Sequence, residues 1–442
     1  MNYSAAVEYL ESLTNYEVSP ASAYSAVNFD LRRVETLLQE IGRPHLGRET
    51  VHIAGTKGKG STASMISSIL VSSGNCTGLF TSPHLYTWQE RIAINGRPLT
   101  RKDFAILTGA VQKHVEAIND EAQFGKITTF EALTAMAFLY FKQKGAAFQV
   151  LETGMGGRLD ATNVAEAAVC ILTSISFDHT QVLGDTLAKI AYEKAGIIKS
   201  RCTVISAPQE PEALAVIVEQ CRVTGAELVL AGRDLNWKRL GGDLNGQTFT
   251  IRGGHGNYKL HIPLLGDHQL ENACLALAAA EVLRKRGAGI TFDHIARGLA
   301  SVKWPARLQI LNRSPMLVID GAHNAYSMNA LVRSVRRYVP YNKLHLIFGS
   351  SADKDIDGMA GELAGFAGNV IITSSGHPRA ASSEQLARIF RQHGISADIK
   401  PDVREALSSA RAASGENDLI LATGSLFIAA EIGKAFKEGN FG

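Results

Sequence analysis

The sequence predicts an α/β protein with a P-loop-type, mostly parallel sheet domain and a smaller Rossmann-like C-terminal α/β domain. Short apolar runs rich in β-branched residues alternate with longer helical patterns, as when "VHIAG" (51–55) is followed by "STASMISSILVSSG" (61–74). This alternation is typical of a parallel sheet with helical crossovers. It begins again after Pro305, and 442 residues are too many for one ordinary core. Two domains are therefore expected.

The first alternating series supplies the strands and helices of the larger domain. A helical pattern, "TFEALTAMAFLYFKQKG", covers 129–145. Further on, "QTFTIRGGHGNYKLHIPLL" (247–265) predicts a hairpin with glycines in its turn, and Asp267 is the expected N-cap of the next helix. The remaining strands are expected at "TGLFTS" (77–82), "FQVLETG" (148–154), "VCILTSIS" (169–176) and "TVISAP" (203–208).

The second series begins near Pro305, where "MLVIDGAHN", "KLHLIFGSS", "NVIITSS" and "DLILATGS" each precede a helical pattern. We place the boundary between residues 298 and 304. The predicted domains are therefore a larger first domain, 1–298, and a smaller C-terminal domain, 299–442.

Composition excludes several functional classes. A formal net charge of +3 gives no support for nucleic acid as a partner. The five cysteines are scattered and form no C-x-x-C pair, so neither a disulfide framework nor a zinc site is indicated. No apolar run has the length of a membrane span, and the N-terminus lacks the pattern of a signal peptide. We expect a cytoplasmic protein that does not bind membranes.

The stretch "AGTKGKGST" (54–62) is the strongest functional signal that the residues carry by themselves. It lies between a predicted strand and a predicted helix, where backbone N–H groups and the helix N-terminus can hold phosphates. Lys59 can reach the β- and γ-phosphates, and Ser61 or Thr62 can meet a magnesium ion. The alternative is a flexible basic turn. The glycines that permit the tight turn are Gly55, Gly58 and Gly60.

Polar side chains at or after the other strands are the next candidates, and each has a structural alternative. Glu152 ends an apolar strand, where a carboxylate is costly unless it is paired or metal-bound. Ser82 can donate a hydroxyl to a cation or cap a turn. His179 is a metal ligand or a hydrogen-bonded structural residue, and Lys194 is a site residue or a surface charge paired with Glu193. Glu131 either supports the phosphate region or caps its helix.

The motif "GTKGKGST" (55–62) resembles the GTNGKGS loop of the folylpolyglutamate synthase and dihydrofolate synthase family, within the Mur ligase superfamily. Lys57 stands where that family usually has asparagine. The resemblance spans nearly the whole chain. It includes "TSPHLYTWQERIAINGRPLT" (81–100), "LETGMGGRLDATN" (151–163), "SISFDHTQVLGDTLAKIAYEKAGIIK" (174–199) and "LGDHQLENA" (265–273).

The resemblance implies a set of ligands for the first domain. ATP would bind the glycine-rich loop, with two magnesium ions held by Ser82, Glu152 and His179. Lys194 would be carbamylated, which turns a cation into an oxygen donor for a hard ion. Asn272 would contact adenine, and the segment His84 to Arg91 would border the folate.

For the second domain, the resemblance rests on "KWPARLQ" (303–309) and "VIDGAHNAYSMNAL" (318–331). It implies that Arg307 reaches the ATP phosphates, that Asp320 contacts the nucleotide, and that His323 lies near incoming glutamate. Ser425 is a weaker glutamate-site candidate, because a serine before a helix is also an ordinary cap. Ala306 replaces the usual glycine of this motif.

The implied function is ATP-dependent addition of L-glutamate to the γ-carboxylate of a folate through an acyl phosphate. Lys59, Lys194 and His323 are the expected catalytic residues, in a cleft shared by both domains. Addition of glutamate to dihydropteroate as well is our preferred hypothesis, with folylpolyglutamate synthesis alone as the alternative. A regulatory P-loop ATPase or binding module is the alternative from another class. The family tendency is a monomer.

Overall fold

The apolar runs form two parallel-rich sheets, one in each of the two units into which the chain divides. The computed structural model describes residues 1–18, 28–253 and 256–439. The first unit comprises Met1–Leu240, Thr248–Ile262 and Gln269–Val302, and the second comprises Gly241–Gln247, Pro263–His268 and Lys303–Gly442. The mixed α/β architecture expected from the sequence is confirmed.

The first unit is built on an eight-stranded sheet of order β4-β3-β2-β5-β1-β6-β7-β8. The strands from β2 to β8 in this order run parallel, and β3 and β4 add an antiparallel edge. The strands are β1 (Glu49–Ala54), β2 (Thr77–Phe80), β3 (Ile92–Ile94), β4 (Arg97–Pro98), β5 (Phe148–Glu152), β6 (Val169–Leu172), β7 (Thr203–Ser206) and β8 (Glu227–Leu230).

Ten α-helices precede residue 303 in the described part of the chain. Aliphatic and aromatic side chains from several of them pack on the sheet in two fully buried clusters. The helices are α1 (Tyr3–Ser12), α2 (Leu31–Glu40), α3 (Lys59–Ser72), α4 (Arg101–Glu121), α5 (Thr129–Gln143), α6 (Thr180–Leu183), α7 (Leu187–Ala195), α8 (Pro211–Thr224), α9 (Asp267–Lys285) and α10 (Phe292–Ala300).

A separate three-stranded sheet has the order β11-β10-β9. It contains the predicted hairpin, although Gly254 of the predicted turn lies outside the described residues. Asp267, the predicted N-cap, is instead the first residue of α9, and its carboxylate accepts a hydrogen bond from Arg337 at 2.5 Å. The strands are β9 (Asn236–Asp243), β10 (Gly246–Gly253) and β11 (Gly256–Ile262).

The second unit is built on a six-stranded sheet of order β12-β13-β17-β14-β15-β16, antiparallel only between β12 and β13. One apolar cluster forms its core. Its elements are β12 (Gln309–Arg313), β13 (Met316–Ile319), α11 (Ala325–Tyr338), β14 (Leu344–Phe348), α12 (Ile356–Leu363), β15 (Asn369–Ile372), α13 (Ser383–Gln392), β16 (Ala397–Ile399), α14 (Val403–Ala413), β17 (Leu419–Thr423) and α15 (Leu426–Glu438).

Within the described residues, none of the helices combines the length and the apolarity that crossing a membrane requires. The described cysteines are all free thiols, and four of the five are buried.

Candidate functional site

The candidate residues of the first unit follow four adjacent parallel strands, β2, β5, β1 and β6. Ser82 follows β2, Glu152 ends β5, Gly55 follows β1, and His179 follows β6. Carboxyl ends of parallel strands meet at one edge of a sheet, which is the usual ligand-binding edge of open α/β sheets. The topology therefore brings these four positions to the same edge.

The glycines of the phosphate loop are required by close approach of other groups. Gly58 is the N-cap of α3 and has φ +91°, and a Cβ built there would lie 2.3 Å from Asn272 Oδ1. Gly55 has φ +149°, and its Cβ would lie 1.9 Å from Thr173 Oγ1. Asn272, predicted to contact adenine, thus lies directly against the loop.

The helix begins earlier than the sequence pattern indicates. We expected it from Ser61, but α3 starts at Lys59, so Lys59, Gly60, Ser61 and Thr62 form its first turn. The first N–H groups of a helix have no partner within that helix and carry its positive dipole end. The structure therefore presents the phosphate-loop lysine on a helix N-terminus.

The loop is held by the segment that follows β6. The backbone N–H groups of Thr56 and Lys57 both donate to the carbonyl of Ser174, at 2.9 and 3.2 Å. Lys57 Nζ also donates to Asp178 Oδ2 at 2.7 Å, and both side chains are largely buried. The lysine that replaces the family asparagine thus links the phosphate loop to the loop that carries His179.

Two hydroxyl groups in the first turn of α3 are available for a ligand. Thr62 is fully buried, and its Oγ1 has no hydrogen-bond partner among the described residues. Within the described residues, Ser61 Oγ accepts only a long hydrogen bond, 3.5 Å, from Gln269 Nε2. The Oε1 atom of Gln269 accepts in turn from Asn272 Nδ2 at 3.0 Å. A buried hydroxyl without a partner is costly in a native structure, so the loop fits a phosphate with its cation.

Lys194, on α7, is buried against the phosphate loop and is not a surface charge. Its Nζ donates to the carbonyl of Gly55 at 2.9 Å, and Glu193 pairs instead with Arg158 at 2.9 Å. Burial, together with the nearby charge of Lys59, lowers the pKa of Lys194 to about 7. A substantial fraction of this amine is therefore unprotonated near neutral pH, which is the form that reacts with carbon dioxide.

The two carboxylates of the segment 151–163, Glu152 and Asp160, have different roles. Glu152 is 5% exposed, and its Oε2 accepts from the backbone N–H of Ser82 at 3.2 Å, which joins two of the predicted metal ligands. Asp160 accepts from the backbone N–H groups of Gly154, Met155 and Thr162, so it organises the turn after β5. Glu152 remains the predicted metal ligand of this segment.

His179 stands apart from the other candidate ligands in its exposure. Its side chain is 42% exposed, its backbone has φ +52°, and its Nε2 lies 3.9 Å from Asp178 Oδ1. In the described ranges, no group of three or more His, Cys, Asp or Glu side chains is arranged to hold a metal ion. A cation at this edge would therefore also need other oxygen donors, such as phosphates, hydroxyls or water.

The contacts of Glu131 show the helix-capping arrangement that is one of its two predicted roles. Its carboxylate accepts from the backbone N–H of Thr128, and Thr128 Oγ1 accepts from the backbone N–H of Glu131, forming a capping box at the start of α5. The same carboxylate pairs with Arg33 at 2.9 Å, and both side chains are buried.

In the second unit, Asp320 at the end of β13 organises the backbone around Arg307. Its oxygens accept from the N–H groups of Leu308 and Ala322, at 2.7 and 2.8 Å. Burial raises the pKa of Asp320, while the Arg307 guanidinium acts in the opposite direction. Arg307 also lines a cavity of about 480 Å³.

His323 and Ser425 follow two neighbouring strands of the second sheet, β13 and β17. His323 Nδ1 lies 2.8 Å from the carbonyl of Gly321, which can only accept, so Nδ1 carries a proton. Ser425 Oγ accepts from the N–H of Ile428 at 3.1 Å, which is the capping alternative considered for it.

The backbone conformation at Ala306 explains why the family usually has glycine at this position of the motif. Its φ is +54°, and the next residue but one, Leu308, has φ +43°. Both lie in the left-handed region that favours glycine, so Arg307 is flanked by strained backbone.

The sequence did not indicate the ionic cluster beside the 82–91 loop. Arg91 is buried and forms two hydrogen bonds with Glu17, at 2.7 and 2.6 Å, and one with His84 Nδ1, at 2.9 Å. Glu17 lies 74 positions away in the chain, so no local pattern could have paired it with Arg91.

Two family models match the chain. They are the Mur ligase middle domain, over residues 53–280, and the Mur ligase glutamate ligase domain, over residues 306–426.

Among curated proteins, the chain is 34% identical to a dihydrofolate synthase/folylpolyglutamate synthase of Bacillus subtilis, over 92% of this chain and 95% of that protein. It is 33% identical to a folylpolyglutamate synthase of Lacticaseibacillus casei, with 98% of each covered. A crystal structure of Mycobacterium tuberculosis folylpolyglutamate synthase complexed with ADP and AMPPCP superposes with a TM-score of 0.89 at 30% identity, covering 99% of this chain and 100% of that one. An FPGS–AMPPCP–folate complex gives a TM-score of 0.85 at 32% identity, with 99% and 100% covered.

Proposed function

The chain belongs to the folylpolyglutamate synthase/dihydrofolate synthase family, and from that premise we propose that it is an ATP-dependent ligase that adds L-glutamate to the γ-carboxylate of folates. The observation that carries the proposal is the glycine cradle at the start of α3, where Asn272 contacts Gly58 and the buried Thr62 hydroxyl has no partner among the described residues. Relatives of this family have been captured with ATP analogues, and one of these with folate as well.

A carboxylate must be activated before an amine can attack it, because an oxide ion is a poor leaving group. Transfer of the γ-phosphoryl group of ATP to the substrate γ-carboxylate gives an acyl phosphate and ADP. The amine of glutamate then attacks the acyl carbon, the amide forms, and phosphate leaves. Both steps concentrate negative charge, so catalysis rests chiefly on positioning and on electrostatic stabilisation.

In the first unit, the N-terminus of α3 and Lys59 bind the phosphates, and Asn272 holds the adenine. Ser82, Glu152 and His179 would hold magnesium, which would supply positive charge to balance that of the phosphates. Lys194 takes part as a carbamate, which its lowered pKa and its position beside Gly55 support.

In the second unit, Arg307 acts on the phosphates and Asp320 on the nucleotide, while His323 acts near glutamate. The hydrogen bond between His323 Nδ1 and the Gly321 carbonyl orients the ring for that role.

Dihydropteroate is the second acceptor substrate that we propose. It too offers a carboxylate, and the support is the printed name of relatives such as the Bacillus subtilis enzyme, dihydrofolate synthase/folylpolyglutamate synthase. Assaying one preparation with dihydropteroate and with tetrahydrofolate separates the bifunctional enzyme from one that acts on folates alone.

The test is glutamate-dependent release of phosphate and ADP by purified protein with ATP, magnesium and tetrahydrofolate. Replacing Lys59 by Ala is expected to lower kcat by at least about a hundredfold, because a charge that stabilises the transition state is lost. The exposed lysine Lys102 on α4 provides the matched control, since Lys102→Ala should leave turnover unchanged. Phosphate release that does not depend on glutamate would refute the ligase assignment and favour a P-loop ATPase.

A further inference from the structure

A buried chain of hydrogen bonds joins His52, Thr162 and Asp160, three side chains that the proposed chemistry does not use. His52 Nε2 lies 2.7 Å from Thr162 Oγ1, and the same oxygen lies 2.5 Å from Asp160 Oδ1. All three residues are at most 5% exposed. Water therefore does not compete for these hydrogen bonds, and each one is stronger than it would be at the surface.

Asp160 determines the direction of this chain. Its two oxygens accept from four donors, namely the backbone N–H groups of Gly154, Met155 and Thr162 and the hydroxyl of Thr162. Four donors suit an ionised carboxylate, which can only accept. The single hydroxyl proton of Thr162 is therefore directed at Asp160, and the Thr162 oxygen must accept from His52. The neutral imidazole thus carries its proton on Nε2.

The hydrogen bond to Thr162 is the polar contact that His52 contributes at its position. Burial lowers the pKa of His52 to about 3, so the ring is neutral near pH 7. Its Nδ1 is buried and has no hydrogen-bond partner among the described residues. A buried acceptor without a partner costs free energy that an apolar side chain of similar size would avoid. We infer that the Nε2–H group, and not packing, is what the site requires of this residue.

The first structure that depends on this chain is the turn after β5, where Glu152 ends the strand. His52 lies opposite Leu151 in the parallel pairing of β1 with β5, one position before Glu152. Asp160 accepts from the backbone N–H of Gly154, two positions after Glu152. The hydrogen bonds therefore begin on the strand beside Glu152 and return to the turn that follows it, so they fix the backbone on both sides of this carboxylate.

The second structure that depends on it is the end of α7, which carries Lys194. The backbone N–H of Asp160 donates to the carbonyl of Gly157 at 3.1 Å. A Cβ on Gly157 would lie 2.8 Å from the carbonyl oxygen of Lys194, so the two backbones are in direct contact. The next residue, Arg158, donates its N–H to the carbonyl of Glu193 at 2.7 Å. The turn that Asp160 organises thus also supports the helix end from which Lys194 reaches the phosphate loop.

We propose that His52 is a positioning residue for the ligase reaction. Its Nε2–H orients the Thr162 hydroxyl, and that hydroxyl holds the Asp160 carboxylate, which organises the segment 154–163. Glu152 and Lys194 are the groups that this segment places at the ligand-binding edge. The inference rests on the proposed ligase function and adds to it a residue that acts only through other side chains.

The decisive comparison uses two pairs of substitutions that keep or remove one hydrogen bond. Thr162→Ser retains the hydroxyl, whereas Thr162→Val retains the volume and removes the hydroxyl. His52→Gln retains an N–H with about the reach of Nε2, whereas His52→Leu has none. Thr162→Val and His52→Leu should lower kcat about tenfold to a hundredfold, the usual cost of misplacing catalytic groups by a fraction of an ångström to about 1 Å. Thr162→Ser and His52→Gln should stay within about threefold of wild type.

A matched control separates positioning from a general loss of stability. His345 on β14 is also a fully buried histidine, and His345→Leu should leave kcat unchanged whatever its effect on the free energy of unfolding. Thr162→Val keeps the test decisive if His52→Leu does not fold. Equal kcat losses for the two members of each pair would overturn the proposal, and so would wild-type kcat in Thr162→Val.

Two measurements test the same hydrogen bonds without turnover. Amide hydrogen exchange at Gly154 and Met155 should be at least about tenfold faster in Thr162→Val than in wild type, while the amides of β1 and β5 keep their rates, because the loosening is local. Unchanged exchange at these two amides would contradict the proposal.

The tautomer of His52 can be read from two-bond ¹⁵N–¹H correlation spectra of the folded protein with labelled histidine. The His52 signal, assigned by its absence from the His52→Gln spectrum, should show the Nε2–H form. A signal of the Nδ1–H form would mean that the hydrogen bonds run in the opposite direction from a protonated Asp160, and would refute the argument. If the wild-type protein shows no glutamate-dependent turnover, the ligase function fails, whereas the exchange and tautomer results still stand or fall by themselves.

Discussion

Replacing Gly58 by Ala tests whether Asn272 and the phosphate loop form one steric unit. Gly58 is the left-handed N-cap of α3, and a methyl group there would lie 2.3 Å from Asn272 Oδ1. Asn272 is 4% exposed and donates to Gln269, so its amide cannot move without losing that hydrogen bond. The substitution should therefore affect stability and nucleotide binding together.

The magnitude has two parts. A residue other than glycine in the left-handed region costs about 1–2 kcal/mol. Displacing Asn272 adds about 1 kcal/mol for its hydrogen bond with Gln269. Gly74, at the turn after α3, has φ +82° but nothing within 4 Å of the added methyl, so Gly74→Ala incurs only the first cost. We expect Gly58→Ala to lower Tm by about 4–10 °C and Gly74→Ala by about half as much.

The assay pairs thermal unfolding with titration of AMPPCP by calorimetry. Gly58→Ala should weaken AMPPCP binding at least about tenfold, a loss of 1.4 kcal/mol, while Gly74→Ala should bind it normally. In the double variant Gly58→Ala/Asn272→Ala the clash is absent. The double variant should therefore lose less stability than the sum of the losses in the two single variants. Strict additivity, or normal AMPPCP binding by Gly58→Ala, would refute the steric reasoning.

Two further predictions concern buried titratable side chains of the first unit. His52 is fully buried, and burial lowers its pKa to about 3, below the usual 6.5. As the pH falls, the unfolded chain therefore takes up a proton at this position before the folded chain does. The free energy of unfolding should decrease from about pH 6.5 downward, by about 2 kcal/mol at pH 5. Urea unfolding at pH 7 and pH 5 should show a smaller loss for His52→Gln than for wild type. Glu131→Gln should cost about 3–5 kcal/mol in the same assay, because it leaves the buried Arg33 guanidinium without its anion. The exposed Glu219, paired with Arg222, is its control, and Glu219→Gln should change stability by less than about 1 kcal/mol.

The parts of the fold that follow from local pattern were predictable. Strand-ending motifs meet at the carboxyl edge of a parallel sheet whatever the connections between them, so Gly55, Ser82, Glu152 and His179 could be assigned to one edge before the structure. The order of the strands could not be derived in the same way, because β1 lies between β5 and β6, far from its neighbours in the chain.

The start of α3 shows how tertiary contacts override local propensity. Glycine disfavours helix interiors, so the pattern suggested a loop through Gly60 and a helix from Ser61. The structure begins the helix at Lys59 because Gly58 is fixed as its cap against Asn272, more than 200 positions away in the chain. No feature of the local sequence reports that contact.

Glu131 and Glu17 illustrate the same limit for charged side chains. The capping role of Glu131 is readable from its spacing to Thr128, but its ion pair with Arg33 joins positions 98 apart. Glu17 and Arg91 likewise meet only after folding. Local spacing therefore identifies caps, whereas the partners of buried charges depend on the tertiary fold.

The charges around the phosphate loop suggest why a buried lysine is retained there. Burial is the main cause of the lowered pKa of Lys194. The charges of Lys59 and Lys57 act in the same direction, and those of Asp178 and Asp160 act in the opposite direction. A third protonated amine beside Gly55 would be costly, whereas a neutral amine is tolerated and still donates a hydrogen bond to the carbonyl of Gly55. The same neutral amine is the nucleophile needed for carbamate formation. A carbamate would place a negative charge beside the two cations Lys57 and Lys59. The two neighbouring cations that help to lower the pKa of Lys194 would thus also favour its carbamate, whereas burial disfavours any charged form of the side chain.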